Sequence, residues 1–231
     1  MAKILFVLTG ADHWTLADGT LHPTGFWAEE FAVPYEAAKA AGHEIVVATP
    51  GGLVPPVDKG SLAAEYNGGQ DIADKRAETL ANAVELQRPA DLAQVDLADY
   101  DAVYYPGGHG PMEDLAVNRE SGELLTAALR SGKPLAVVCH GPAALLAATN
   151  ADGANAFAGY TLTGFTNAEE RQGGLADKAK WLLQDRLVEL GADFQEGEPW
   201  APKVVVDRNL ITGQNPASSA PVAAELLKKL A

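Results

Sequence analysis

Short apolar runs that end in glycine or proline alternate along this chain with stretches of helical periodicity. Few folds accommodate that rhythm. Lys3 to Thr9 (KILFVLT) reads as a buried strand, and Trp27 to Ala41 as a helix stopped by Gly42. His43 to Thr49 reads as a second strand closed by Pro50-Gly51-Gly52. Ala102 to Tyr105 is a third, followed by Pro106-Gly107-Gly108, and Leu135 to Val138 a fourth, running into Cys139. Helical spacing recurs over Ala73 to Gln87, Glu120 to Ser131, Pro142 to Ala148 and Ala176 to Leu190. A closing helix covers Ala220 to Leu230, with Ser218 or Ser219 as N-cap. Tyr160 to Thr166 reads as a further strand, and Val204 to Thr212 as a strand pair or one interrupted strand. Strands buried on both faces and separated by helices form a mostly parallel sheet covered on both sides. The expectation is α/β: one three-layer α/β/α sandwich over residues 1–231, with a loop-rich insertion near 53–75. In such sheets ligands bind outside the carboxyl ends of the strands. That points to Gly10, Pro106-Gly107-Gly108, Cys139 and Gly164.

Charge narrows the partners. The 31 acidic and 17 basic residues leave a formal net charge of −14, which repels nucleic acid and anionic membrane. The chain has 1 cysteine, so no internal disulfide can form, and a reducing, cytoplasmic setting is expected. The opening MAKILFVLTGADHW turns polar too soon for a signal peptide or membrane span. His13, His22 and His43 lack ligand spacing, and neither a dinucleotide nor a P-loop glycine pattern occurs. No metal and no cofactor are expected.

The cysteine sits in LAVVCHGPAALLAA. Four apolar residues lead into Cys139, and then His140, Gly141 and Pro142 open a helix. Gly141 permits a tight turn and Pro142 suits a first helical position. Such a strand-to-helix turn is a nucleophile elbow, lacking here the first glycine of the G-x-S-x-G pattern. Read from these residues alone, Cys139 is either an inert thiol ending a core strand or a nucleophile. In the second case the following helix favours thiolate at neutral pH and its amides hold an oxyanion.

Five segments in one order, TGFWAEEFAVPY, YYPGGHG, VVCHGPAALL, LTGFTNAEE and LITGQNPASS, resemble the ThiJ/PfpI superfamily. That superfamily shares its core fold with class I glutamine amidotransferases. The resemblance covers nearly the whole chain and is nearest to the heat-shock-type branch of glyoxalase III, chaperone and deglycase proteins. It implies a flavodoxin-like fold, a homodimer and a catalytic set: Cys139 as nucleophile, His140 beside it, Glu170 completing the triad and Glu30 hydrogen-bonded to the thiol. Glu169 is the fallback for Glu170, and Glu29 lies one place from Glu30. The oxyanion donors it implies are the backbone N–H groups of Gly108 and His140. His109, in PGGHG, is either a loop residue or part of the site wall. Where relatives often carry Pro-Phe-Leu-Leu-Glu-Asp, this chain has Lys180-Trp181-Leu182-Leu183-Gln184-Asp185.

The activity this implies is a glutathione-independent, glyoxalase III-like lyase of the D-lactate dehydratase type. It would convert methylglyoxal or glyoxal to the 2-hydroxy acid, with deglycation as related chemistry on a glycated adduct. The alternatives are a holdase chaperone or redox sensor, or a cysteine peptidase or amidase using the same Cys and His.

Overall fold

The computed structural model describes all 231 residues. Seven strands form the central sheet: β1 (Lys3–Val7), β2 (Glu44–Thr49), β3 (Ala90–Asp91), β4 (Ala102–Tyr105), β5 (Leu135–Val138), β6 (Val204–Asp207) and β7 (Leu210–Gly213). Their spatial order is β6-β7-β5-β4-β1-β2-β3. Every pairing is parallel except the β6–β7 hairpin at one edge. The register sets Ile4 beside Ala102 and Val103 beside Leu135, so β1, β4 and β5 end close together.

Six helices matter here: α1 (Ala28–Ala40), α2 (Gln70–Asn82), α3 (Arg119–Ser131), α4 (Asn167–Gln172), α5 (Leu183–Glu189) and α6 (Ser219–Lys228). From β1 the order grows outward through β2, whereas from β4 it grows the other way through β5. Right-handed crossovers therefore place α1 and α3 on opposite faces. α6 packs beside α1 and completes the first face. The fold is the expected α/β sandwich. Ile4, Leu5, Phe6, Val103, Tyr104, Leu135, Ala136 and Val137 are fully buried, which explains why these runs show no polar alternation.

Several elements differ from the sequence reading. The segment 176–190 is not one helix. A turn over Ala176–Lys178 is followed by extended residues and then α5. The break lets Arg186 stack over Trp181, and lets Gln184 and Asp185 reach the backbone N–H and side chain of Asn167. The strand at 160–166 shrinks to Thr161–Leu162, paired with Asp193–Phe194 outside the main sheet. Val204 to Gly213 is a strand pair, turned at Arg208 in the left-handed region (φ 57°). The helix expected over 73–87 begins earlier, at Gln70, and breaks after Asn82. The stretch after Cys139 is a seven-residue 3-10 helix, Gly141–Ala147. Ser218 sits at the N-cap of α6 but makes no capping bond. Its hydroxyl accepts from the Lys203 N–H and donates to Asn215. A small hairpin, His13–Thr15 with Leu21–Pro23, was not expected, nor was the edge strand β3. No helix is long and apolar enough to cross a membrane.

Candidate active site

α1 carries Glu29 and Glu30 in its first turn, where the helix dipole favours acids. It also contains Pro34, whose ring nitrogen cannot donate to the carbonyl four residues back. That carbonyl belongs to Glu30, and the Tyr104 hydroxyl donates to it at 2.5 Å. A phenol on β4 thus fills the gap the proline leaves and ties Glu30 to the sheet. The two acids then part company. Glu29 faces outward to Arg76 at 2.6 Å. Glu30 is fully buried, and its Oε2 accepts from the Gly107 N–H at 2.6 Å. Its Oε1 has no hydrogen-bond partner, and the Cys139 thiol faces the same carboxyl. Burial raises the Glu30 carboxyl to about 8, despite the opposing effects of Cys139 and Gly107. At neutral pH it is mainly a carboxylic acid.

Cys139 occupies the elbow after β5 with φ 60°, a conformation that side-chain-bearing residues rarely adopt. Three backbone contacts hold it there: its N–H donates to the Gly213 carbonyl, its carbonyl accepts from Phe165, and the Gly108 N–H faces the sulfur. Gly107 is required for this approach. A Cβ there would lie 2.6 Å from the His140 nitrogen, 2.7 Å from the Val138 carbonyl oxygen and 2.9 Å from Glu30 Oε2. Gly107→Ala is accordingly expected to lower stability by about 2–3 kcal/mol, read as a shifted urea midpoint. It also displaces the Glu30 carboxyl; a variant of unchanged midpoint refutes the close packing.

The expectation of a thiolate at neutral pH is corrected. Burial first, and then the Glu30 carboxylate, push the thiol well above its ordinary value, against a smaller effect of the Gly108 N–H. Cys139 is only 3% exposed and the 3-10 helix after it is short, so desolvation outweighs any dipole.

His140 Nδ1 lies 3.3 Å from the sulfur, and its Nε2 lies 2.7 Å from Glu170 Oε2. Burial, and then the His109 imidazole, hold His140 below its ordinary value despite Glu170, so the ring is neutral at pH 7. Glu170 is buried on α4. Burial pushes it up, but the His140 imidazole and hydrogen bonds from two histidines prevail and hold it far below the usual carboxylate range. The local fold distinguishes it from its neighbour. Glu169 forms a capping box with Thr166 and accepts from the Trp200 N–H, Gln214 and Asn215. It is an internal tie, and Glu170 is the acid that meets His140.

Cys139, His140, Glu30, Glu170 and the Gly108 N–H therefore converge at the carboxyl ends of β4 and β5. The arrangement provides a thiol, a neutral base beside it, an ionised carboxylate orienting that base and a protonated carboxyl across the sulfur. This set suits addition of sulfur to a carbonyl followed by proton movement.

The sequence leaves one neighbour undecided. His109 Nε2 lies 2.9 Å from Glu170 Oε1, and its ring stacks on Trp14 at 4.8 Å. It follows a Gly-Gly turn, and Trp14 comes from the unexpected hairpin, so periodicity alone offered no signal. His109, His140 and Glu170 are also the group of ligand atoms near enough to share an ion, within 4.8 Å. Their mutual hydrogen bonds already occupy those atoms.

The DJ-1/PfpI family model matches residues 21–229. "Glutamine amidotransferase-like class 1 domain-containing protein 1" of Homo sapiens is 35% identical over 205 residues, covering 88% of this chain and 87% of its own. "Protein/nucleic acid deglycase HchA" of Pseudomonas aeruginosa is 29% identical over 224 residues, covering 94% of this chain and 77% of its own. Among solved structures, glyoxalase III of Candida albicans has a TM-score of 0.85 at 26% identity, over 98% of this chain and 96% of that one. The Rapid Encystment Protein 24 KDa of Francisella tularensis has a TM-score of 0.87 at 29% identity, over all of both chains.

Proposed function

This chain is a member of the DJ-1/PfpI family, and on that premise we propose that it is a glutathione-independent glyoxalase acting on small 2-oxoaldehydes such as methylglyoxal. The observation that carries the reading is the buried, proton-bearing Glu30 set against a thiol that has its own neutral base. A hydrolase needs the thiol and the imidazole. A protonated carboxyl on the far side of the sulfur is what an internal proton transfer adds to that requirement.

In the proposed course Cys139 sulfur adds to the aldehyde carbon while its proton passes to His140 Nδ1. The N–H groups of Gly108 and His140 receive the developing oxyanion. His140 Nε2 faces an ionised carboxylate, so Glu170 steadies the imidazolium and does not take its proton. Glu30 begins as the acid and protonates the ketone oxygen. The Glu30 carboxylate so formed then takes the proton from the former aldehyde carbon, giving an enediolate, and returns it to the neighbouring carbon. That leaves a thioester of the 2-hydroxy acid. Water cleaves the carbon–sulfur bond, releasing lactate and the thiol, so methylglyoxal plus one water gives lactate with no external reductant.

Deglycation is the second reading, favoured by the relative named as a deglycase. The near-complete burial of Cys139, at 3% exposure, favours a small free aldehyde over a glycated side chain. The test is lactate formation from methylglyoxal in glutathione-free buffer, beside release of amine from a preformed methylglyoxal–arginine adduct. Turnover of the free aldehyde at rates unaffected by glutathione is expected. Release from the adduct without turnover of free methylglyoxal overturns the assignment in favour of deglycation.

A further inference from the structure

We infer that His109 is a positioning residue for the site: it holds the second oxygen of Glu170 and thereby fixes the tautomer of His140. The argument starts from donor and acceptor inventory. An ionised carboxylate can only accept, and Glu170 is kept ionised. Both nitrogens that face it must then carry hydrogen. His140 Nε2 donates to Oε2 at 2.7 Å, and His109 Nε2 donates to Oε1 at 2.9 Å. With Nε2 protonated, neutral His140 has its lone pair on Nδ1, the nitrogen 3.3 Å from the Cys139 sulfur. The base faces the thiol only while this tautomer holds.

One hydrogen bond leaves a carboxylate free to turn, and a buried oxygen without a partner is costly. Glu170 is 4% exposed, so water is a poor substitute for His109 at Oε1. His109 is itself confined. Its ring lies against Trp14 on one side, nearly parallel at 16°, and 4.1 Å from the His140 ring on another. Its backbone follows Gly108, whose φ of 87° and contact with the Gly25 carbonyl admit no side chain. The hairpin, the Gly-Gly turn and α4 thus converge to hold one carboxylate in one orientation. This role rests on the proposed reaction only for its effect on rate; the tautomer itself is observable without substrate.

The experiment compares His109→Phe with His109→Gln. Phenylalanine keeps the stack on Trp14 and removes the donor; glutamine restores an N–H toward Glu170 Oε1. The expected result for His109→Phe is a fall of about 10–100-fold in kcat, the usual cost of losing a group that orients a functional one, with KM within about twofold. His109→Gln recovers most of kcat. In parallel, ¹⁵N chemical shifts of ring-labelled protein report the His140 tautomer without substrate. A single Nε2–H form is expected in the wild type and in His109→Gln, and a mixture in His109→Phe. Wild-type kcat and a single tautomer in a folded His109→Phe overturn the inference. So does equal loss in both variants with the tautomer unchanged. Should the protein turn over no methylglyoxal at all, the proposed function fails and the tautomer measurement still decides the role of His109.

Discussion

Cys139→Ala is expected to lower lactate formation from methylglyoxal by at least about 10⁴-fold while leaving the protein folded, as loss of a nucleophile does in enzymes that act through a covalent intermediate. The fold survives because two of the three contacts that hold the elbow, to Gly213 and Phe165, are backbone bonds that alanine keeps. Alanine also keeps the Cβ that the left-handed elbow already tolerates. Stopped turnovers of the wild type, denatured by acid and weighed intact, should carry one hydroxyacyl group on Cys139. A folded Cys139→Ala that turns over methylglyoxal at the wild-type rate removes the covalent route altogether.

Glu30→Gln carries the second large effect, and it acts in two directions. Turnover is expected to fall by about 10²–10⁴-fold, the range for loss of a general acid–base group. Stability is expected to move the other way with pH. Glu30 has its carboxyl raised from 4.5 to about 8, so between those values the native state binds more protons than the unfolded chain. Stability from this group is full below pH 4.5 and is lost as pH rises through about 8. Glutamine does not titrate. Relative to wild type, Glu30→Gln therefore gains stability from pH 5 to pH 8, by on the order of 4 kcal/mol. Glu170 has the opposite sign, with a depressed carboxyl whose contribution is lost on acidification, and it is common to both proteins. Urea unfolding of the two proteins at several pH values measures the difference. A gap that stays constant from pH 5 to pH 8 shows that Glu30 is ionised when folded and removes it as the acid.

The thiol elbow was legible because it is local. β5, Cys139, His140 and the glycine-proline turn lie within the eight residues from Leu135 to Pro142, and β4 with its Gly-Gly end is equally compact. The pairing of Glu30, rather than Glu29, with the thiol was available only through resemblance. Adjacent acids on a helix are distinguished by what packs around them, here Arg76 on one side and Gly107 on the other. The same holds for Glu169 and Glu170, whose separation depends on Trp200, Gln214 and Asn215, residues 30 or more positions away. The ionisation of Cys139 was misjudged for a related reason: an elbow sequence reports backbone shape, whereas desolvation depends on the whole shell. Trp14 escaped because two three-residue strands generate too little periodicity to read, and the choice between loop and site wall for His109 stayed open because its stacking on Trp14 is long-range.

The bond from the Cys139 N–H to the Gly213 carbonyl bears on how the protein matures. β7 is the last strand made, yet it inserts between β5 and β6 and holds the elbow in place. A nascent chain that has emerged only as far as Asn150 therefore contains the cysteine but has neither the partner strand nor the strained turn. Since chains emerge at only about 5–20 residues per second, the cysteine spends seconds as an ordinary thiol before its surroundings are assembled. The buried shell that raises the thiol, and the backbone bond that fixes its turn, are thus completed only when the carboxyl-terminal hairpin docks, so the sheet's strand order doubles as a schedule for assembling the site.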